Sequence, residues 1–437
     1  MVATGALIPR NSPLAGRIEV PGSKSVSNRA LMCAALSEGE SVIHGVTDGD
    51  DTQRMLAALE VLGAKVVSDG SRVTIGGPIQ MRSATEVLLD AGLAGTTSRF
   101  LTALAALRPG ATTITGAEGL RRRPMGELHR LLRDLGADVH TDREGYLPVT
   151  IRGLANRRAS LSSLHARGDT SSQFISAVMM IAPLLGGLQV VIDGPMVSRE
   201  YLHMTAQVMR AFGADVEIAT SESSHREVRL RTDVRVGPGE YQATTFAVDA
   251  DWSSASYPLA AAAIAGGVVR VAALRADSAQ PEAGFLAVLA EMGCTVRRLA
   301  DQEFVGVEVS RVNAPLRGGN FDMSTMSDLV PTLAAVAACA TTTTEIHGVG
   351  FIRAKESDRI GDLAHELRKC GAVVTELADG LRIDPQPLRA ATIDPHDDHR
   401  LAMSLALLGL RGSGIVVSHA DVVAKSWPRY WEAMGAL

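Results

Sequence analysis

Two kinds of helical pattern alternate along the chain. One is amphipathic, runs up to an apolar residue and a glycine, and leads into a short strand. It reads MLAALEVLGAKV over Met55–Val66, LHRLLRDLGADV over Leu128–Val139 and TAQVMRAFGADV over Thr205–Val216. It returns as FLAVLAEMGCTV over Phe285–Val296, LAHELRKCGAVV over Leu363–Val374 and, shortened by the terminus, YWEAMGAL over Tyr430–Leu437. The glycines Gly63, Gly136, Gly213, Gly293, Gly371 and Gly435 follow the last periodic residue, where a left-handed C′ position favours glycine. The other pattern is Ala-rich and apolar nearly all round. Its copies start near Asn28, Ser98, Ser172, Ser254, Asp328 and His399, and each leads to a Gly-containing turn and a β-branched strand. Two of those strands read alike, IHGV at Ile43–Val46 and again at Ile346–Val349.

A helix that is apolar on every side is buried on every side, whereas one apolar stripe packs against a surface. Each repeat therefore predicts one inner helix, one outer helix and several strands, an α/β unit. At roughly 75 residues these units exceed a solenoid repeat of about 20–50 residues. Six units in two groups of three predict two similar domains, which also suits a chain of 437 residues.

Composition adds limits. Hydrophobic residues make up 46% and charged residues 21%, the balance of a water-soluble globular protein. A net charge of −5 argues against a general nucleic-acid binder without excluding a local basic pocket. Cys33, Cys294, Cys339 and Cys370 form no C-x-x-C pair and sit in apolar runs, as reduced, buried thiols of a cytosolic protein do. The N-terminal stretch lacks the cationic start and apolar core of a signal peptide, and Pro258–Val269 is too short for a membrane span of roughly 18 residues. A cytoplasmic protein is expected.

The chemistry concentrates where the inner helices begin. They are entered by PGSKSVSNR (Pro21–Arg29), AGTTSR (Ala94–Arg99), GDTSSQ (Gly168–Gln173), DADWSSAS (Asp249–Ser256), MSDLVP (Met326–Pro331) and HDDHR (His396–Arg400). Capping explains the hydroxyls and aspartates. It does not explain Lys24, Arg29, Arg99 and Arg400, which stand at the positive end of a helix dipole unless an anion lies between. Further cations occur in Arg121–Arg123, in RAKESDR with Arg353, Lys355 and Arg359, and at Lys425. The number suits two polyanionic ligands, with arginine forks holding carboxylate or phosphate oxygens in pairs. Asp328 and Glu356 are acids among these cations. Each reads equally as a cap or ion-pair partner and as a catalytic group.

Nucleotide and metal signatures fail. PGSKS lacks P-loop spacing, no G-x-G-x-x-G follows a strand, and the HDDH run opens an apolar helix without a complementary ligand cluster. No metal is expected.

PGSKSVSNRA, LAGTTSRF, the Arg-Pro of RRRPMG, SSQF, VSREY, SDLVP, RAKESDR, DDHRLAMS and AKSWP occur in this order along nearly the whole chain. Together they resemble the 5-enolpyruvylshikimate-3-phosphate synthase family of enolpyruvyl transferases. The resemblance implies two domains, each of three βαβαββ repeats with inner helices and outer sheets, an inside-out α/β barrel, and a ligand cleft between domains that closes on binding. Residues 1–21 and 249–437 would form one domain and 22–248 the other, with crossings near Pro21–Gly22 and Ala243–Asp249.

It further implies that the enolpyruvyl group of phosphoenolpyruvate moves to the 5-hydroxyl of shikimate 3-phosphate by addition and elimination, in aromatic amino-acid biosynthesis, by a monomer without a cofactor. Carried over position by position, Lys24, Ser25, Arg29, Ser171, Ser172, Gln173, Ser198, Tyr201, Asp328 and Lys355 would hold shikimate 3-phosphate. Lys24, Gly95, Arg123, Gln173, Arg359, Arg400 and Lys425 would hold phosphoenolpyruvate. Asp328 would be the base and Glu356 the acid, helped by Lys24, while Arg99 would serve the closed cleft. Neither nucleic acid nor a membrane is an expected partner.

Leu93 and Phe351 stand where many members have Asn, and Phe100 where Pro is frequent, which touches secondary contacts and the response to glyphosate. None removes an acid, base or main cation. The nearest rival, enolpyruvyl transfer to UDP-N-acetylglucosamine, is disfavoured because Gly116–Arg123 contains no cysteine. A non-catalytic anion binder would be expected to have lost Asp328 or Glu356. A repeat scaffold for protein partners leaves the converging cations unexplained.

Overall fold

The computed structural model describes residues 3–9, 13–154, 159, 161–194, 196–223, 229–300 and 304–437. The chain divides into two compact units, Met1–Ser23 with Asp249–Leu437, and Lys24–Val248. Gly22 bridges Ala250, and the Ser23 N–H donates to the Asp249 carbonyl, so the first division falls after Ser23.

Each unit contains three small sheets built on one plan. In the repeat around Val87–Arg152, strand Val87–Asp90 leads through inner helix Gly95–Ala105 to the parallel strand Thr112–Thr115. Outer helix Gly126–Leu135 follows, then the hairpin of Asp138–Thr141 and Val149–Arg152. The last strand pairs antiparallel with the second, giving the order first, second, fourth, third. A parallel pair needs a crossover, and the inner helix supplies it. Burial alternates along Thr112–Thr115, so one face of this sheet meets helices and the other water.

The division of the chain explains two borrowed strands. Thr245–Ala247, at the end of the Lys24–Val248 unit, is the first strand of that unit's opening repeat and pairs parallel with Gly39–His44. In the other unit Leu14–Ile18 is the first strand of a repeat whose helix begins only at Trp252. The final repeat ends before its hairpin, and Thr4–Gly5 pairs with Ile415–Ser418 in its place. Among the described residues that sheet has three strands and the other five have four.

The inner helices are Lys24–Leu36, Gly95–Ala105 and Ser172–Ile181 in one unit, and Trp252–Ala265, Val330–Ala338 and His399–Ala406 in the other. Every residue of Gly95–Ala105, Val330–Ala338 and His399–Ala406 is buried, as the all-round apolar pattern requires. Buried hydroxyls mark their packing: Ser256, Thr332 and Ser404, one from each inner helix of the second trio, form a chain with links of 3.2 and 3.1 Å.

Glycines 63, 136, 213, 293 and 371 have left-handed φ values between 86° and 104°. Gly435 does not: it remains inside helix Tyr430–Gly435. The first inner helix also starts at Lys24, four residues before the expected Asn28, so Lys24 and Ser25 occupy its first turn. All four cysteines are buried thiols. Burial pushes Cys33 and Cys339 up to about 12 and Cys294 and Cys370 up to about 11.

Candidate active site

In the unit holding both termini, four sequence-distant segments meet near the start of inner helices. Asp328 lies in a 3₁₀ turn, Ser327–Leu329, just before helix Val330–Ala338. Arg359 precedes the outer helix Gly361–Lys369, and Arg400 lies in the first turn of His399–Ala406. Arg359 Nη1 donates to Asp328 Oδ1 at 2.9 Å, and Arg400 Nη2 donates to Asp328 Oδ2 at 2.7 Å. Arg359 Nη2 donates to Glu356 Oε2 at 2.8 Å, and Lys425 Nζ to Glu356 Oε1 at 3.1 Å. The structure thus brings together five of the expected residues, two acids and three cations.

Burial alone would raise the Asp328 carboxyl, but Arg400, Lys355 and Arg359 outweigh burial and the opposing Glu356 charge, and hold it well below the usual carboxylate range. Asp328 is therefore an anion here, with 23% of its side chain exposed. Arg359 is 1% exposed. Burial disfavours its charge, yet Asp398, Glu356 and Asp328 more than compensate and raise it above the ordinary arginine value. Lys355 Nζ lies 5.9 Å from the Phe351 ring centroid, so Phe351 offers the lysine its π cloud.

Asp398 was not among the expected site residues. It is wholly buried and caps helix His399–Ala406 by accepting from the Arg400 N–H at 2.8 Å. It also accepts from Arg359 Nε at 2.7 Å. The signal in the sequence was an acid directly before a helix start, which capping explained fully on its own.

In the Lys24–Val248 unit, Lys24 Nζ pairs with Asp51 Oδ2 at 2.8 Å. Asp51 is buried in the first turn of helix Asp50–Val61, whose N-cap is Gly49 without a side-chain cap bond. The acidic run Asp48–Asp51 thus supplies a counter-ion to Lys24 and no side-chain helix cap. Arg29 is buried: its Nε donates to Thr205 Oγ1 at 2.8 Å, its Nη1 to the Ser25 carbonyl at 2.8 Å, and its Nη2 to Ser176 Oγ at 3.4 Å. The guanidinium also stacks near Phe100 and Tyr201, at 5.2 and 5.9 Å from their centroids. Phe100 thus closes one face of Arg29.

Ser171 caps helix Ser172–Ile181 by accepting from the Gln173 N–H. Ser172 is buried in that first turn, with Gln173 half-buried. Ser198, just before helix Glu200–Ala211, has a left-handed φ of 53°, a conformation non-glycine residues rarely adopt away from functional turns. Gly95 opens helix Gly95–Ala105 directly against Arg123: a Cβ there would stand 2.5 Å from Arg123 Nη1. Arg99 turns inward, donating to the Gly95 carbonyl at 3.0 Å and the Pro124 carbonyl at 3.4 Å, which ties the helix start to the loop carrying Arg123. Leu93 is partly exposed and would meet a Cβ on Gly119 at 3.2 Å, beside the same loop.

These two clusters can bind anions, and the first can also exchange protons through two carboxylates. Comparison with known proteins bears on which anions. Residues 8–434 match the family model for EPSP synthase (3-phosphoshikimate 1-carboxyvinyltransferase). The chain is 37% identical over 436 residues to the 3-phosphoshikimate 1-carboxyvinyltransferase of a Nostoc species, covering 98% of each. It is 39% identical over 438 residues to that of Methanosphaerula palustris, again covering 98% of each. Among solved structures, the EPSP synthase of Acinetobacter baumannii superposes with a TM-score of 0.79 at 29% identity, covering 99% of this chain and 98% of that one. The enolpyruvyl transferase NikO of Streptomyces tendae shares the fold, with a TM-score of 0.75 at 19% identity over 100% of this chain and 98% of its own.

Proposed function

The chain belongs to the EPSP synthase family, the 3-phosphoshikimate 1-carboxyvinyltransferases, and on that footing we propose how its residues divide the reaction. It is a transferase of the shikimate pathway that moves the enolpyruvyl group of phosphoenolpyruvate to the 5-hydroxyl of shikimate 3-phosphate and releases phosphate. The observation that carries the assignment of roles is the cluster in which Arg359, Arg400 and Lys425 grip Asp328 and Glu356.

Shikimate 3-phosphate is assigned to Lys24, Ser25, Arg29, Ser171, Ser172, Gln173, Ser198, Asp328 and Lys355, with Tyr201 at the ring. Phosphoenolpyruvate is assigned to Arg359, Arg400 and Lys425, together with Lys24, Gly95, Arg123 and Gln173. The contact of Gly95 with Arg123 supports this assignment, since the missing side chain leaves room for the guanidinium at a helix N-terminus.

In the addition step the 5-hydroxyl oxygen bonds to C2 of phosphoenolpyruvate while its proton passes to Asp328. The C2–C3 π pair takes a proton at C3 from Glu356, assisted by Lys24. The tetrahedral adduct then loses phosphate, which takes up the proton held by Asp328 as the C2–O bond to phosphate breaks; a C3 proton returns to Glu356 and the double bond reforms. Lys425 and the arginines offset charge on the departing phosphate. No cofactor enters this scheme, because phosphoenolpyruvate is already activated.

Asp328 in its present ion pairs is a weak base. An incoming anion that takes over Arg359 and Arg400 weakens those pairs and raises the basicity of Asp328, so substrate binding itself readies the base. We read the enzyme as a cytoplasmic monomer with small anionic substrates and neither nucleic acid nor membrane as partner. The four buried thiols suit a reducing compartment, and among the described residues no helix is long and apolar enough to cross a membrane.

The roles are tested by turnover of Asp328→Ala and Glu356→Ala beside calorimetric binding of shikimate 3-phosphate. Both variants should bind it and turn over about 10²–10⁴-fold more slowly. Near-native rates in both would remove the acid–base assignment.

A further inference from the structure

The Arg359 guanidinium has two differently occupied sides. Nη1 and one Nη2 hydrogen bond go to Asp328 and Glu356, both partly exposed. Nε goes to Asp398, and Nη2 also lies 3.3 Å from it. Asp398 has no exposed surface. An anion arriving from solvent can displace Asp328 and Glu356, but it cannot reach Asp398. One side of the guanidinium is exchangeable and the other is fixed.

The chain goes to some trouble to place this carboxylate. His396 and Asp397, the two residues before it, both have left-handed φ values of 51° and 58°. Two successive non-glycine residues in that region are strained, and such strain persists only where surrounding contacts hold it. The contacts come from Glu366, which accepts from the Asp394 N–H at 3.0 Å and lies 3.2 Å from His396 Nε2. Glu366 is buried on its outer helix. Aligning the repeats on their helix-ending glycines puts Ala58, Leu131, Val208, Val288 and Tyr430 at its position in the other five outer helices. An acid where the repeat otherwise places apolar side chains signals a local task, and here that task is bracing the turn. Asp398 Oδ2 takes one more bond, from Ser357 Oγ at 3.1 Å.

We propose that Asp398 is a positioning residue for the phosphoenolpyruvate site: it holds the inner side of Arg359 and the backbone of Arg400 together, so that both arginines present their outer N–H groups to one anion. The inference rests on the reading of Arg359 and Arg400 as phosphoenolpyruvate ligands. Asp398 touches neither substrate and moves no proton. Its effect is on the geometry and charge of the arginine pair, and hence on one substrate of the two.

The test is steady-state kinetics of Asp398→Asn against both substrates, with the melting midpoint measured alongside. Asn caps helices about as well as Asp, so the helix start should persist, but a neutral amide cannot replace a buried bond between charged groups, and the melting midpoint should fall as well. The KM for phosphoenolpyruvate should rise about tenfold or more, the range expected when a charged hydrogen bond is lost. That for shikimate 3-phosphate should stay within about twofold. Equal weakening of both substrates would overturn the proposal in favour of general disruption. An unchanged phosphoenolpyruvate KM, beside a raised one in Arg359→Gln, would overturn it and leave the assignment of Arg359 standing. No change in either variant would remove both. Should Asp398→Asn not fold, Ser357→Ala decides: a smaller rise confined to phosphoenolpyruvate supports the clamp, and no rise at all contradicts it.

Discussion

Asp328 Oδ2 lies 2.7 Å from Arg400 Nη2, although 72 residues separate the two in the chain. The repeat makes this proximity: each residue stands at the entry to an inner helix, one repeat apart. In the present structure the proposed base occupies the cation that the account assigns to phosphoenolpyruvate. Asp328→Asn should therefore bind inorganic phosphate or phosphoenolpyruvate more tightly than the parent while losing turnover, because a competing internal anion has gone. Weaker binding of both by calorimetry would show that Asp328 assists anion binding and does not compete with it.

Gly95→Ala should act on one substrate. Its Cβ would stand 2.5 Å from Arg123 Nη1 and 2.9 Å from Arg123 Cζ, and the guanidinium must move away. Losing one charged hydrogen bond costs about 1.5–3 kcal/mol. The KM for phosphoenolpyruvate should rise about tenfold, with little change for shikimate 3-phosphate; the reverse pattern would exchange the ligands assigned to this helix end.

Arg29→Ala should weaken shikimate 3-phosphate and also lower the melting midpoint. Its guanidinium is buried and donates to Thr205, Ser25 and Ser176; truncation removes these bonds and leaves a cavity where the side chain packed. A lowered midpoint with unchanged affinity for shikimate 3-phosphate would make Arg29 purely architectural.

His129 links pH to stability. Burial first, then the charge of Arg133, with Glu144 opposing, lower its pKa from 6.5 to about 4. A base held neutral in the folded state takes up protons more readily when unfolded. Its contribution to stability is therefore present above 6.5 and lost as pH falls from 6.5 to 4. Across that window the loss is about 3 kcal/mol. Leu56 and Leu286 occupy the same place in two other outer helices, so His129→Leu should fold and show a flatter acid decline in melting midpoint. An unchanged slope would assign the acid sensitivity to other groups.

Much of this was legible in the sequence because the repeat wrote it six times. Outer helices were marked by one apolar stripe and a closing glycine, inner helices by unbroken burial, and five of the six glycines have the expected left-handed φ. Gly435 departs, lying inside its helix and not beyond its end, a difference that the local pattern does not carry. Asp328, Glu356, Arg359, Arg400 and Lys425 stood out as charges beside apolar helices, and the fold brings them together. Asp398 and Asp51 did not stand out. Each had a sufficient local explanation as a helix-start acid, and only their partners, Arg359 and Lys24, reveal the second task. Such counter-ions are set by packing between segments far apart in the chain, so periodicity says nothing of them.

The most direct test of the account is phosphate release from phosphoenolpyruvate by the purified protein, with shikimate 3-phosphate as acceptor and UDP-N-acetylglucosamine as control. The account predicts release with shikimate 3-phosphate alone, together with the corresponding enol ether by mass spectrometry. Release with the sugar nucleotide instead, or none with either acceptor from folded protein, would contradict it.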